Sequence, residues 1–257
     1  MSNYFDLTGQ VAIVTGCSTG LGVQMAKALA AEGCNIVALA RRKNLVDEVA
    51  ADIAKTYGVK AIGVSCDITD TEKVDAAVEE VLKEFGRIDI LINNAGTGGV
   101  TPAEDVPDEM FFNEMNIDLA GTFKMARAVA KKAMIPAKYG RIINIASMYG
   151  MVGNKIAGSA PYHAAKGGVV NLTRALAAEW GKYSITVNSI CPGYFYTPLT
   201  VDTLNSDFFQ QNAKTMIPEE RYGNEGELDT AAIFLASPNS AYVTGVNLPV
   251  DGGYTAM

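Results

Sequence analysis

One histidine and one tryptophan are all that the 257 residues contain of either, and the four cysteines, Cys17, Cys34, Cys66 and Cys191, form no C-x-x-C pair. A lone imidazole and scattered thiols are too little ligand chemistry for a metal site, so buried reduced thiols and no metal are expected. Basic residues are outnumbered, 21 against 28, which leaves a formal net charge of −7. The positive field that attracts nucleic acid or anionic lipid is missing, and a small molecule or another protein is the expected partner. The uncharged stretch from Tyr183 to Val201 is broken by Asn188, Pro192, Gly193 and Pro198, so no membrane span is expected. Met1 to Asp6 carries no basic run followed by an apolar one, so a cytoplasmic location is expected. Linkers, composition shifts and internal repeats are lacking too, which predicts a single domain over residues 1–257.

Apolar residues make up 49 % of the chain, enough for a sizeable core. Seven short β-rich runs stand out: Val11–Thr15, Asn35–Leu39, Ala61–Ser65, Ile88–Ile92, Arg141–Ile145, Ile185–Ser189 and Val246–Val250. Helical patterns separate them. Between the third and fourth, Val74, Val78, Val81, Leu82 and Phe85 share one helix face, while Glu72, Lys73, Glu79, Glu80, Lys83 and Glu84 cover the other. Strand and helix in alternation predict a doubly wound α/β fold of Rossmann type, a seven-stranded parallel sheet with helices on both faces. Ligands of such sheets bind beyond the carboxyl ends of the strands.

Thr15-Gly16-Cys-Ser18-Thr19-Gly20-Leu21-Gly22 follows the first strand and opens into a helix. Gly16 permits the tight turn, Gly20 admits a pyrophosphate to the backbone, and Gly22 allows helix to pack on strand. Cys17 within this loop is expected to be a small turn filler, not a redox thiol. NAD sites commonly place a carboxylate at the end of the second strand, about 20 residues on. Ala40 stands there instead, followed by Arg41 and Arg42. A guanidinium matches a 2′-phosphate in charge and fork geometry, so Arg41 points to NADP in preference to NAD.

Ser147 follows the fifth strand, and Tyr162 and Lys166 stand four apart just after Pro161. That spacing puts both side chains on one helix face, where an ammonium favours the phenolate and equips Tyr162 to exchange a proton with substrate. His163, one step on, points about 100° away and is given a structural role.

The sequence resembles the short-chain dehydrogenase/reductase family along essentially its whole length. The matching segments are Thr15 to Gly22, Asp67, Asn93 to Gly96, Asn116, Ser147, Tyr162 with Lys166, Pro192-Gly193 with Thr197, and Val250 to Gly253. The resemblance implies hydride transfer with a nicotinamide cofactor, a homotetramer, Tyr162 as general acid/base and Ser147 holding the substrate oxygen. It also implies that Lys166 binds the nicotinamide ribose while tuning Tyr162, and that Asn116 positions a relay water. Asp67 and Ile68 would flank the adenine, Asn93, Ala95 and Gly96 would line the cofactor, Pro192 and Gly193 would border it, and Thr197 would reach the carboxamide.

Thr15–Gly22, Ile143–Met148, Pro192–Phe195 and Arg221–Gly223 look most like the gluconate 5-dehydrogenase and keto-deoxy sugar acid dehydrogenase branch, so the substrate is read as a polyol or sugar-acid-like compound. Two features pull elsewhere. Thr97 to Pro102 offers no cation to hold a carboxylate, Lys155 being the one cation of the loop after Ser147. Met148, Tyr149, Met151, Val152, Tyr194, Phe195 and Tyr196 would suit a hydroxysteroid or another bulky cyclic ketone. A 3-oxoacyl carrier reductase is a further alternative, disfavoured by the charge of −7. A non-catalytic nucleotide-binding module has no need of the Ser147, Tyr162 and Lys166 set. Residues 199–222 mix Leu204, Phe208 and Phe209 with polar side chains and predict an amphipathic segment, in a position where the family resemblance implies a substrate lid.

Overall fold

The computed structural model describes residues 4–155, 158–198 and 200–257. Its seven strands, β1 (Val11–Thr15), β2 (Asn35–Ala40), β3 (Ala61–Ser65), β4 (Ile90–Asn93), β5 (Gly140–Ile145), β6 (Ile185–Pro192) and β7 (Asn247–Val250), follow the seven apolar runs. They form one parallel sheet in the order β3-β2-β1-β4-β5-β6-β7. The order reverses between β1 and β4, the position where an open α/β sheet leaves a crevice. β4 begins two residues later than its apolar pattern, directly after Asp89. Its carboxylate takes the Val11 N–H at 2.9 Å and both nitrogens of an Arg87 fork at 2.8 Å.

Successive strand residues point to opposite faces, which splits the core in two. Ile13, Val37, Leu39 and Leu91 meet helix α3 (Thr71–Phe85), the helical run 108–137 and α7 (Ala160–Trp180). That run consists of α4 (Asp108–Glu114), α5 (Thr122–Val129) and α6 (Ile135–Ala137), joined by π-helical turns Met115–Gly121 and Ala130–Met134. Ala12, Val14, Ile36, Ile90 and Ile92 face α1 (Gly20–Ala31), α2 (Lys43–Tyr57) and α10 (Asp229–Ala236). Two shorter helices, α8 (Val201–Leu204) and α9 (Asp207–Met216), lie beyond β6.

α3 shows how the sequence sets such an element. Asp70 caps it by accepting the N–H groups of Glu72 and Lys73, and Gly86 ends it at φ +73°. Val74, Ala77, Val78 and Val81 are buried, and each buried valine contributes about 1.5–3 kcal/mol. The predicted charged face is exposed throughout.

Candidate active site

The turn between β1 and α1 forms one wall of the crevice. Gly16 and Gly20 lie in the left-handed region, at φ +66° and +63°, where a side chain costs about 1–2 kcal/mol. A Cβ on Gly16 would stand 2.8 Å from the Ala95 Cα, and one on Gly22 would stand 2.7 Å from the Gly16 carbonyl oxygen. Those two glycines let the loop after β4 lie against the turn. Thr15 Oγ1 fastens it there, accepting the N–H groups of Asn94 at 3.0 Å and Ala95 at 2.9 Å, while the Asn94 amide donates to the Thr15 carbonyl. Gly20 differs. A Cβ there would meet nothing nearer than the Thr197 side chain, at 3.6 Å. Thr19 gives α1 no side-chain cap and the first turn holds no acid, so the leading N–H groups are left for an anion. Bare backbone at Gly20 and uncapped donors at α1 fit a dinucleotide, with Ser18, Thr19 and Leu21 completing the turn. Cys17 is buried, its thiol pushed up to about 12 by burial, so it fills the turn as an unreactive group.

Ala40 ends β2, and Arg41 and Arg42 are both exposed. Arg42 reaches back to donate to the Ser18 hydroxyl at 3.0 Å. Arg41 lies on the side of Asp67, whose carboxyl is held below its ordinary range by hydrogen bonds from the Thr69 N–H and hydroxyl and, to a smaller extent, by the Arg41 charge. Contact between the glycine turn and the arginine pair is thus made by Arg42, although the sequence singled out Arg41. Ile68 is buried beside the helical run, where a Cβ on Gly121 would come 2.6 Å from its Cδ1. Asn93 is committed to the protein interior instead of the crevice wall. Its amide donates to Asn144 at 2.9 Å, and Asn144 donates in turn to Thr173. Pro192 and Gly193 turn the chain against Asp251, and Thr197 shares hydrogen bonds with Thr200.

The expected catalytic set, Ser147, Tyr162 and Lys166, lies at the end of β5. Ser147 is buried, and its Oγ accepts the Tyr149 N–H at 3.1 Å, which leaves the hydroxyl proton free to donate. In α7, Pro161 occupies the first turn and Tyr162 and Lys166 share a face, the Lys166 Nζ 5.6 Å from the Tyr162 ring centre. Lys166 also donates to the Ile145 carbonyl at 3.0 Å. The turn that Ser147 caps, Met148–Gly150, packs tightly here, since a Cβ on Gly150 would fall 2.6 Å from the Lys166 carbonyl oxygen.

Asn116 is exposed on the π-helical turn, and the residue of that turn which meets Lys166 is Asp118. It is fully buried, its Oδ1 3.2 Å from the Lys166 Nζ, and its two oxygens take the Thr97 N–H at 3.2 and 3.3 Å. Glu114 lies four residues earlier, 4 % exposed, and its Oε2 has no hydrogen-bond partner among the described residues. Burial raises the Glu114 carboxyl, and the charge of Asp118 raises it further. Burial raises Asp118 as well, opposed by the Lys166 ammonium. For Lys166 burial opposes the charge, but Tyr162 and Asp118 outweigh it and the ammonium is favoured. The sequence held a sign of this pair. Counting back from Met125 and Val129 in threes and fours, the buried face passes Thr122, Gly121, Asp118 and Glu114, which puts two acids where apolar residues belong.

Aromatic rings close the other side. Tyr149 stacks on His163 at 4.6 Å and 23°, and the His163 Nδ1 donates to the Ser159 carbonyl at 2.8 Å. The Tyr149 and Tyr194 hydroxyls share a hydrogen bond, and Tyr222 and Tyr254 stand edge-on to Tyr194 at 5.5 and 6.2 Å. Met148 is buried, Met151 and Lys155 are exposed, and Ile156 and Ala157 lie outside the described residues. Over this cluster α8 presses Leu204 inward and α9 presses Phe209 and Ala213, with Ile217 following just past the end of α9. Phe208 is 56 % exposed, because consecutive helical residues point about 100° apart. Leu199, the first residue of the expected lid, lies outside the described residues. A cavity of about 190 Å³ separates the end of this segment from the turn after β7, lined by Tyr194, Ile217, Arg221, Tyr222 and Asp251. Among the described residues no cluster of three or more acids, cysteines or histidines is placed to hold a metal ion, and no helix is long and apolar enough to cross a membrane.

A family model described as enoyl-(acyl carrier protein) reductase matches residues 16–255. The chain is 38 % identical over 256 residues to a 2-dehydro-3-deoxy-D-gluconate 5-dehydrogenase of Dickeya dadantii, covering 99 % of this chain and 98 % of the relative. It is 38 % identical over 254 residues to a D-threitol dehydrogenase of Mycolicibacterium smegmatis, covering 98 % and 95 %. A solved gluconate 5-dehydrogenase from Burkholderia cenocepacia, in complex with NADP and tartrate, superposes with a TM-score of 0.94 at 36 % identity, covering 99 % of this chain and 98 % of that one. A likeness of this extent, with a sheet that reverses at β1 and β4 beside a glycine turn, places the chain in the short-chain dehydrogenase/reductase family, as an oxidoreductase acting on CH–OH groups.

Proposed function

We propose that this protein is an NADP(H)-dependent oxidoreductase that interconverts a ketone and a secondary alcohol on a polyol or sugar-acid-like substrate, with Tyr162 as the general acid/base. One observation carries the reading. Tyr162 and Lys166 share one face of α7, and Lys166 is tied to the end of β5 from which Ser147 emerges, beside the glycine turn. When bound, the nicotinamide cofactor gives or takes the hydride at the substrate carbon. The glycine turn and Thr197 would hold it, and Lys166 would meet its ribose. Ser147, its oxygen already satisfied by the Tyr149 N–H, directs its proton to the substrate oxygen and fixes it. Tyr162 donates its proton to that oxygen in reduction and withdraws it in oxidation, while the Lys166 ammonium steadies the phenolate. Rings of Tyr149, Tyr194 and Tyr254 exclude water.

The names of the relatives support the substrate class. The aromatic wall supports a second reading, a bulky cyclic ketone, because Tyr149, Tyr194 and Tyr254 pack edge-on to one another beside Met148, with the Tyr149 and Tyr194 hydroxyls bonded together. Following NADPH oxidation and NADP reduction over a panel of polyols, sugar acids, cyclic ketones and hydroxysteroids separates the two. Turnover confined to the last two groups would displace the first reading, and preference for NADH would displace the cofactor.

A homotetramer and a cytoplasmic location belong to the same proposal. Phe112 and Phe123 are exposed on the 108–137 run, and Phe234, Tyr242 and Val246 around α10 and β7. These are two separate apolar faces, which a tetramer of closed symmetry uses. Light scattering on the eluted protein tests the assembly. The four cysteines are free and buried, in keeping with a reducing compartment.

A further inference from the structure

Lys166 does not stand alone behind Tyr162. Its ammonium has three protons to place; one goes to the Ile145 carbonyl at 3.0 Å and one to Asp118 Oδ1 at 3.2 Å. Asp118 cannot be reached by bulk water. It is fully buried on a π-helical turn, and the Thr97 N–H braces it from the loop after β4. Gly96 of that loop has no room for a side chain, because a Cβ there would collide with Asp118 Oδ1 and come 3.3 Å from the Lys166 Nζ. A carboxylate in this position does more than orient its partner. In a low-dielectric interior it cancels part of the positive field that the ammonium casts on the phenol.

We propose that Asp118 is a positioning residue of the reaction, and that the buried Lys166–Asp118 pair, in place of Lys166 alone, sets the electrostatic field at the Tyr162 hydroxyl. The inference rests on the reading of Tyr162 as acid/base. The other charged or titratable groups facing the pair are few. Glu114 lies on the same helical run, Cys191 on β6 and His163 beside Tyr162 on α7. Cys191 is a buried thiol kept protonated by burial, with Asp251 behind it. His163 is turned onto the Ser159 carbonyl and the Tyr149 ring. Glu114 adds a second carboxyl beside Asp118, whose charge raises it further.

The direction follows from sign alone. Taking the negative charge away strengthens the positive field on the phenol and favours its ionised form, so alcohol oxidation persists to lower pH. In Asp118→Asn, which keeps size and an acceptor for the Thr97 N–H, the acidic limb of kcat/KM for alcohol oxidation is expected to move down by about one pH unit. The thermal midpoint reports that the variant is folded, and Asp118→Ser replaces it if the amide does not fold. A limb that stays in place, or moves to higher pH, in a folded variant overturns the proposal. A shift as large in Glu114→Gln also overturns it, by assigning the effect to negative charge on that helix face in general. Tyr162→Phe is assayed alongside. If it keeps its rate, the acid/base reading falls, whereas an inactive Tyr162→Phe with an unmoved Asp118→Asn limb removes this inference only.

Discussion

The Arg42 guanidinium donates to the Ser18 hydroxyl at 3.0 Å, joining the loop after β2 to the turn that opens α1. Two arginines therefore stand at the end of β2, Arg42 against the glycine turn and Arg41 towards Asp67, where the proposed cofactor would place its adenosine ribose. Loss of a charge-assisted hydrogen bond costs about 1.5–3 kcal/mol. Arg41→Ala and Arg42→Ala are each expected to weaken NADPH roughly ten- to a hundredfold while leaving NADH nearly unchanged. Titration of both cofactors against both variants checks this, and equal losses for NADPH and NADH would make the arginines mere surface charges.

Tyr162→Phe removes a proton donor and nothing else. We expect the fold and cofactor affinity to survive and the rate to drop roughly 10² to 10⁴-fold, the ordinary worth of general acid/base catalysis. Lys166→Met should lose rate and stability together, because it strands the fully buried Asp118 carboxylate without its partner. Steady-state rates and urea midpoints separate the two behaviours.

The α8–α9 segment is expected to act as a substrate cover, and its two phenylalanines to differ. Phe209 packs edge-on to Tyr194 at 5.8 Å and accepts the Tyr222 hydroxyl on its carbonyl, whereas Phe208 is exposed. Phe209→Ala should raise KM with little change in cofactor affinity, and Phe208→Ala should do so much less. Hydrogen exchange over residues 200–216 should slow when cofactor and substrate are both present. Full protection in the free enzyme would assign the segment to fixed core.

At the base of that segment Glu227 takes the Arg221 fork at 2.7 and 2.8 Å and the Asn224 N–H at 2.7 Å. The Arg221 hydrogen bonds, then the Asn224 N–H, hold its carboxyl at about 2, below an ordinary 4.5. A depressed carboxyl adds stability above the ordinary value and loses it as pH falls towards 2. Because the group is exposed, the gain is below about 1 kcal/mol. Glu227→Gln should lower the thermal midpoint at pH 7, with the gap closing as both proteins approach pH 2.

How much of this was open to reading from the chain differs between fold and site. The seven strands were legible because Val, Ile and Ala recur in short runs between amphipathic helices, a pattern set by local burial. Tyr162 and Lys166 were legible because four residues along one helix share a face, so their adjacency needs no knowledge of the rest of the molecule. Gly16, Gly20 and Gly22 announced a turn that side chains disfavour. Other relations joined distant segments. Asn93 and Asn94 are neighbours in sequence, yet the pleat sends Asn93 into the network with Asn144 and Thr173 and leaves Asn94 clasping the glycine turn. Arg41 and Arg42 divide in the same way where a strand gives way to a helix. Asn116 and Asp118 are parted by a π-helical turn that exposes one and buries the other against Lys166. Local composition and spacing by themselves determined the elements and the chemistry on offer. Which of two adjacent side chains entered the site depended on how strands, π-turns and loops from five places in the chain met around one ammonium, and only packing in three dimensions decides that.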